Sequence, residues 1–485
     1  MSNAVNRGIG FSSRWGLMVA MLGMAVGTGN IWRFPRIAAA NGGGSFLVAW
    51  VVFLLLWSIP LIVLEFALGN STGKGVLGAM RQFLGEKFAW AGPWIVWTVA
   101  AIGFYYAVVM GWTLRYALSS LTGGLDGPRS QELWDGFSYT PSVLIFHAAA
   151  VLMAVLVVAG GVRGIERVTK ILIPTLLVLV IALTARALTL DGADAGLRFL
   201  FTPHWADLAN YRIWLEALTQ NAWDTGAGWG LVITYAIYSQ RNADTNLNAV
   251  GLAVGNNIIS LMAGTMVLCT VFSFTPFDEA VESLSSAGNE GLTFIWIPQL
   301  FDQMPGGAFF QVLFFVALVF AAWTSLISLF EVIGRAFEEL GYDRRRFMPF
   351  LGIGVWLLGV PSALSQKVFS NQDFVWSVAL MVSGLLFAIV ALKYGVTRFR
   401  EDFVNSGNQD LRIGAWWDWA IRLVVVEAVV LVVWWFWQVR TSAMFAPDGL
   451  GLLLLEWAVV AVVFIAANRW IVKRLDATAA KNSEG

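Results

Sequence analysis

The chain is poor in the residues on which most soluble enzymes rely. Its 485 residues include one cysteine, Cys269, and two histidines, His147 and His204. A lone thiol excludes an intrachain disulfide and any cysteine-built metal site. The histidines stand far apart and in no zinc-ligand spacing, so structural or surface roles are expected of both. Charge is scarce as well. Only 13% of residues are charged, the signs balance to zero, and 58% are hydrophobic. A soluble domain carries about 25% charged residues, so this surface does not suit water on every side. Zero net charge gives no footprint for nucleic acid. A membrane enzyme is not expected either, because no nucleophile lies near a base or a metal cluster.

What the chain does have is long apolar runs. Twelve are near or above the roughly 20 residues needed to span a bilayer: 15–38, 44–69, 91–121, 142–161, 165–188, 212–238, 247–275, 307–339, 347–364, 373–398, 415–438 and 449–471. The polar start MSNAVNRGIGFSSR reads as a tail, not a cleavable signal, since the run after it is long and lacks a small-residue cleavage site. Lys and Arg set the orientation. Alternate loops hold Lys74, Arg81 and Lys87; Arg163, Arg167 and Lys170; Arg241; Arg344, Arg345 and Arg346; and Arg398, Arg400 and Arg412. Arg7, Arg14, Lys473 and Arg474 lie on the same side, so both termini are expected in the cytoplasm. The opposite loop 276–305 has no Lys or Arg and is amphipathic enough to lie as a helix over the outer face.

Two spans interrupt themselves. The first breaks at AVGTG, residues 25–29, beside Asn30 and Arg33; the sixth breaks at DTGAG, residues 224–228. Unwound backbone at mid-membrane leaves N–H and C=O groups that hydrocarbon cannot satisfy, so protein, ion or substrate must do so. Half-helix ends offer partial positive charge to anions and carbonyls to cations. If the first ten spans are two five-helix halves, the breaks fall at matching places, the best sequence pointer to a transport site. Glycine kinks for close helix packing are the alternative. On the eighth span Ala321, Thr324, Ser325 and Ser328 recur at i, i+3, i+4 and i+7, which puts them on one helix face. Asn256 and Ser260 do the same on the seventh. Such hydroxyls can equally bond back to their own backbone.

GMAVGTGNIWRFPRIAAANGGGSF, residues 23–46, resembles the first-helix signature of the neurotransmitter:sodium symporter family. FYYAVVMGW (104–112), TQNAWDTGAGWGLVITY (219–235), WTSLISL (323–329) and QDF (372–374) continue the likeness over nearly the whole chain. The resemblance implies an all-α integral membrane protein of twelve transmembrane helices. It implies a 5+5 inverted repeat (helices 1–5 and 6–10) plus two C-terminal helices, with helices 1 and 6 unwound mid-membrane. The expected layout is a tail over 1–14, a first repeat over 15–188, an extracellular loop over 189–211 and a second repeat over 212–398. Two further spans lie within 415–471, before a cytoplasmic tail over 472–485.

The resemblance also implies residue roles. One sodium site, between helices 1 and 8, would use Gly23, Val26, Ala321, Thr324 and Ser325. The other, near the substrate, would use Ala25, Asn30, Asn256 and the helix-6 position that is Thr or Ser in the family, here Asp224. Family members that bind chloride do so beside this sodium; the matching positions here are Trp50, Gln220, Asp224, Asn256 and Ser260. The family's Tyr is missing, and a carboxylate occupies the Ser position. Asp224 is therefore expected to supply the fixed charge in place of chloride. Two rivals stay open: it protonates during the cycle, or it retunes the cation site, for instance towards potassium. Gly27, where monoamine carriers have Asp, implies an amino acid head group. Its carboxylate would meet the amides near Gly27, Thr28 and Gly29, the neighbouring sodium and the Tyr106 hydroxyl, and its ammonium the carbonyls of the unwound segments, with Asp224 as an extra partner and Ala25 also at the site. Ile102, Trp223, Gly226, Trp229, Ser325 and Leu329 would line the side-chain pocket. Trp229 argues for a small substrate such as glycine or alanine, while Gly226 gives space back. Arg33 and Asp373 would form the outer gate above a Tyr106–Trp223 lid, and Arg7, Phe11, Tyr238 and Glu339 the inner closure.

The expected activity is alternating-access symport of a neutral amino acid with sodium, two ions and no organic cofactor, in a bacterial inner membrane as monomer or homodimer. The alternatives are another zwitterion or an amine carried with potassium or proton coupling, and a receptor that binds without moving its ligand. The short tail LDATAAKNSEG carries no signalling domain, which argues against the receptor.

Overall fold

The computed structural model describes residues 10–239, 244–286, 288–407 and 409–484, with side chains through 481. Among them there is no strand. Nine helices are long and apolar enough to cross a membrane. They are α2 (Gly44–Thr72), α3 (within Glu86–Leu121), α5 (Gly161–Leu188), α7 (Thr245–Phe274), α8 (Gly307–Glu339), α9 (Arg344–Leu364), α10 (Gln366–Tyr394), α11 (Trp416–Gln438) and α12 (Leu450–Glu484). A bent pair, Arg14–Ala25 and Gly29–Ala40, meets at 53° and forms α1. The shorter apolar helix Val143–Ala159 is α4. The sixth span, α6, splits into Tyr211–Asp224 and Leu231–Ala236. Counted with their breaks, these make twelve.

Local chemistry fixes the helix ends. Ser13, Asn210, Asp244 and Asp343 each accept a hydrogen bond from a first-turn amide of α1, α6, α7 and α9. At the far end of α2, Gly73 takes a left-handed conformation. The predicted spans match to within a few residues except at α10, which begins at Gln366 where 373 was expected, and at the C-terminus. There the expected polar tail from 472 continues α12 as helix to Glu484. Asp476 pairs with Arg81 at 2.5 Å, and Asn468 donates to the Glu86 carbonyl at 2.8 Å, so protein partners hold the extension.

Helices α3, α4, α8 and α9 pack on one another as a block, and the first half of α1 lies against α5, α7 and α8. Phe277–Ser286 and Gly288–Gln303 are helical, as the pattern of this loop predicts. Phe294 from this stretch stacks on Trp134 at 5.2 Å and leans on Tyr116 at 4.8 Å. His147 is buried in α4 and His204 precedes a short helical turn at 205–209; among the described residues neither joins a group that could hold a metal ion.

Candidate functional site

Both breaks open onto one cavity. In α1 the backbone turns extended at Val26 (φ −76°, ψ 105°) and resumes as a wide π turn over Gly29–Arg33. In α6, Gly226, Gly228 and Gly230 take φ of 71°, 83° and 77°, a region that side chains resist. Close packing accounts for part of this: a Cβ on Gly228 would come 2.8 Å from the Cα of Gly384. It does not account for the rest, because residues of both breaks line a cavity of about 270 Å³. Gly27, Thr28, Gly29, Asn30, Arg33, Ile102, Tyr106, Trp223, Asp224, Gly226, Trp229, Ser325, Leu329 and Asp373 all face it.

A chain of polar side chains joins three helices behind that cavity. Asn30 Nδ2 donates to Asn256 Oδ1 at 2.9 Å and to Ser260 Oγ at 2.7 Å. Ser260 in turn donates to Asp224 Oδ2 at 2.7 Å. Asp224 is buried, and its Oδ1 has no partner within hydrogen-bond distance. A buried carboxylate oxygen left bare is costly, and a cation or a proton beside it offsets that cost. Asn30 Oδ1, Asn256 Oδ1 and Asp224 Oδ1 are hard oxygen donors and suit an alkali cation in kind. Ala25 ends the first half of α1 at the same level. Gln220 lies one turn before Asp224 on the same helix and is buried. Trp50 does not join the set: its ring packs on Phe34 at 4.7 Å, and only its carbonyl reaches α6, accepting from Asn221 at 2.9 Å.

A second oxygen cluster lies between α1 and α8. Ser325 Oγ donates to the Val26 carbonyl at 3.4 Å, and Thr324 Oγ1 lies 3.2 Å from the Ala321 carbonyl. Thr324 also bonds back to Phe320 at 2.9 Å, as isolated membrane hydroxyls do. Gly23 lets the helices approach: a Cβ there would sit 3.2 Å from Thr324 Cβ. Ser328, on the same stripe, turns instead to the Tyr235 hydroxyl at 2.8 Å.

The substrate amides are partly engaged already. Gly27 N–H donates to Asn30 Oδ1 at 2.7 Å and Thr28 N–H to Tyr106 Oη at 3.2 Å. Trp229 is buried, its indole donates to the Ala222 carbonyl at 2.9 Å, and its ring meets Trp223 edge-on at 5.3 Å. Of the expected lid pair, Trp223 packs on Trp229 and the Tyr106 hydroxyl accepts from Thr28. The outer ion pair is not made. Arg33 and Asp373 face the same cavity, but the Arg33 guanidinium lies over the Trp223 ring at 5.3 Å, so the aromatic face holds it where the carboxylate was expected to.

On the opposite side Phe11 stacks on Tyr235 at 6.1 Å, and its amide donates to the Tyr238 carbonyl at 3.2 Å. Glu339 does not reach them. It accepts from the amides of Leu77 and Gly78 at 3.1 and 3.2 Å and so caps the helix Val76–Leu84. The acid that Tyr238 meets is Glu331, at 2.8 Å, itself paired with Arg344 at 2.7 Å. Arg7, like Arg241, falls outside the described residues.

The sequence reading missed Glu331, and it missed Glu65. Glu65 is fully buried in α2 and accepts from Gly228 N–H at 2.7 Å and Ile233 N–H at 3.2 Å, bracketing the unwound part of α6. The signal was present: a lone acid in the run IPLIVLEFALGN is expensive at that depth and needs a partner.

A bundle of twelve spans, two of them broken around a shared polar cavity with oxygen clusters on either side, defines a secondary transporter. The model of the sodium:neurotransmitter symporter family matches residues 9–139 and 133–472, and the chain belongs to that family. It is 32% identical over 445 residues to an uncharacterised sodium-dependent transporter, YhdH, of Bacillus subtilis, covering 87% of this chain and 96% of that one. It is 26% identical over 446 residues to the sodium- and chloride-dependent GABA transporter ine of Drosophila melanogaster, covering 81% of this chain and 47% of that one. Among solved structures it resembles MhsT in complex with L-phenylalanine, with a TM-score of 0.78 and 30% identity over 88% of this chain and 99% of that one. It is thus a multi-pass, sodium-dependent symporter and not an enzyme.

Proposed function

We propose that this symporter carries a neutral amino acid with a small side chain, together with sodium bound at both oxygen clusters and without need of chloride. The observation that carries the reading is Asp224, a cavity-lining residue whose Oδ2 accepts from Ser260 while its buried Oδ1 has no partner. A fixed carboxylate there stands next to the neutral amide oxygens of Asn30 and Asn256, where it balances the charge of a bound cation in every turn of the cycle. The absence of an acid at position 27 leaves the head-group end to backbone amides, a natural anion trap at a helix terminus. Trp223 and Trp229 fill one side of the cavity, which supports a small side chain. MhsT, the structural relative, holds the larger L-phenylalanine, so phenylalanine is the decisive competitor. The distribution of Lys and Arg supports cytoplasmic termini in a bacterial inner membrane. In the cycle, substrate and cations favour closure only to the extent that they bind better together than apart.

The test is uptake into proteoliposomes of glycine, alanine and phenylalanine, in sodium chloride, sodium gluconate and potassium gluconate. Equal sodium-driven uptake of the small amino acids with and without chloride supports the reading. Asp224→Ser should then make uptake chloride-dependent. A chloride requirement in the unaltered protein, uptake in potassium alone, or preference for phenylalanine would overturn the corresponding part.

A further inference from the structure

A second cavity lies far from the transport site, between the α8–α9 turn and the extension of α12. Arg335, Glu338, Tyr342, Asp343, Arg474 and Lys481 line it. Arg474, Ala477, Thr478 and Lys481 recur at i, i+3, i+4 and i+7, so one face of the extension presents two cations and a hydroxyl to the cavity. Gly341, at φ 88°, makes the close approach possible: a Cβ there would fall 2.9 Å from Thr478 Oγ1.

The acids lining the cavity are already engaged. Glu338 is paired with Arg335 at 3.2 Å and Arg344 at 2.6 Å. Asp343 caps α9, accepting from the Arg346 amide at 3.0 Å. Arg474 has no carboxylate partner among the described residues and lies over the rings of Trp470 at 5.6 Å and Tyr342 at 5.9 Å. Lys481 has no ion pair among them either. The balance of free charge in the cavity is positive.

Depth gives the second argument. Counting from Leu450, about 20 residues cross the hydrocarbon, which puts Trp470 at its edge and Arg474 about 6 Å beyond, at headgroup level. Trp470 and Tyr342, both exposed, are the ring types that favour that interface. The apolar part of α12 is only 6% buried in the protein, so lipid reaches this helix directly.

We propose that this cavity binds the phosphate of an anionic phospholipid in the leaflet at the cytoplasmic face, with Arg474 as its cationic contact at headgroup level and Lys481, about 10 Å further along α12, adding positive charge above it. The inference rests on the proposed orientation of the chain and is independent of the substrate assignment.

The test is native mass spectrometry of the full-length protein released from mixed micelles of phosphatidylglycerol and phosphatidylcholine. Two cations near an anionic surface add about 1 kcal/mol each, so phosphatidylglycerol should be retained about 30-fold over phosphatidylcholine. The double variant Arg474→Ala, Lys481→Ala should lose that preference, and Lys473→Ala, on a different face of α12, should keep it. Equal retention by the double variant and the parent overturns the proposal, as does parity between the two lipids. Displacement by millimolar inorganic phosphate would assign the cavity to a free anion and overturn the lipid. Orientation is tested apart from this: Lys481→Cys should react with an impermeant maleimide in inside-out vesicles only, the native Cys269 being buried.

Discussion

Ser260 Oγ stands between Asn30 and Asp224, accepting from the first and donating to the second, each at 2.7 Å. One hydroxyl thereby ties α1, α6 and α7 together at the level where α1 and α6 unwind. Its one hydrogen is committed to the carboxylate and one of its lone pairs to the amide, in a buried place, which fixes the hydroxyl's direction.

Removing that hydroxyl should be felt twice. Ser260→Ala leaves Asp224 Oδ2 without its donor and Asn30 Nδ2 with Asn256 alone, at a cost of about 1–3 kcal/mol for the stranded carboxylate oxygen. The expected result is a lower unfolding temperature in sodium-free buffer and a weaker sodium-dependent rise. Ser260→Thr, which keeps the hydroxyl, should recover most of both. A variant indistinguishable from the parent in sodium titration would detach Ser260 from the cation site.

Gly27 offers a sharper steric test. A Cβ at this position would lie 2.7 Å from Ser325 Oγ and 3.1 Å from Tyr106 Oη. Gly27→Ala should therefore block the head-group end and displace Ser325, which also serves the oxygen cluster at Val26. Uptake should fall to background while the folded protein survives purification.

The inner side carries its own prediction. Glu331 is fully buried and Arg344 answers it with two hydrogen bonds, each 2.7 Å. Arg344→Ala would strand that carboxylate, a loss of about 3–5 kcal/mol. Replacing both partners at once, with Glu331→Gln and Arg344→Met, should be much milder, because no buried charge is then left alone. Thermal unfolding of the two variants distinguishes an ion pair that holds the fold from a bystander.

The two broken helices could be read from the sequence because glycines clustered inside an apolar run release the helix just where hydrocarbon would otherwise keep it wound. The helix-8 stripe was legible from its period, and Thr324 and Ser325 do meet Ala321 and Val26. What could not be read is which partner a long charged side chain selects. Arg33 prefers the Trp223 face to Asp373, and Glu339 prefers two backbone amides to the residues around Phe11. Both choices depend on distances across the bundle that no local pattern encodes. Glu65 was missed for another reason: its partners are backbone amides in a segment more than 160 residues away. The helical run past residue 471 escaped because polar composition resembles a tail until Arg81 and Asp476 are placed side by side.

Arg33 is the residue on which gating and stability should separate most clearly. Its guanidinium rests on Trp223, a contact worth about 0.5–1 kcal/mol at a partly exposed site. Arg33→Ala should thus lower the unfolding temperature by only a few degrees. Closure over the substrate needs more than that contact: Asp373 lines the same cavity, and the alanine variant removes the Arg33 cation that shares it. Uptake should fall at least tenfold, the equivalent of about 1.4 kcal/mol, with sodium-dependent stabilisation retained. Arg33→Lys keeps the charge but loses the planar face that lies on the indole, and should fall between the two. If the alanine variant transports normally, Arg33 is a packing residue and the outer gate must be sought elsewhere in the same cavity, first at Arg36, whose Nε already bonds Asn289 at 2.7 Å.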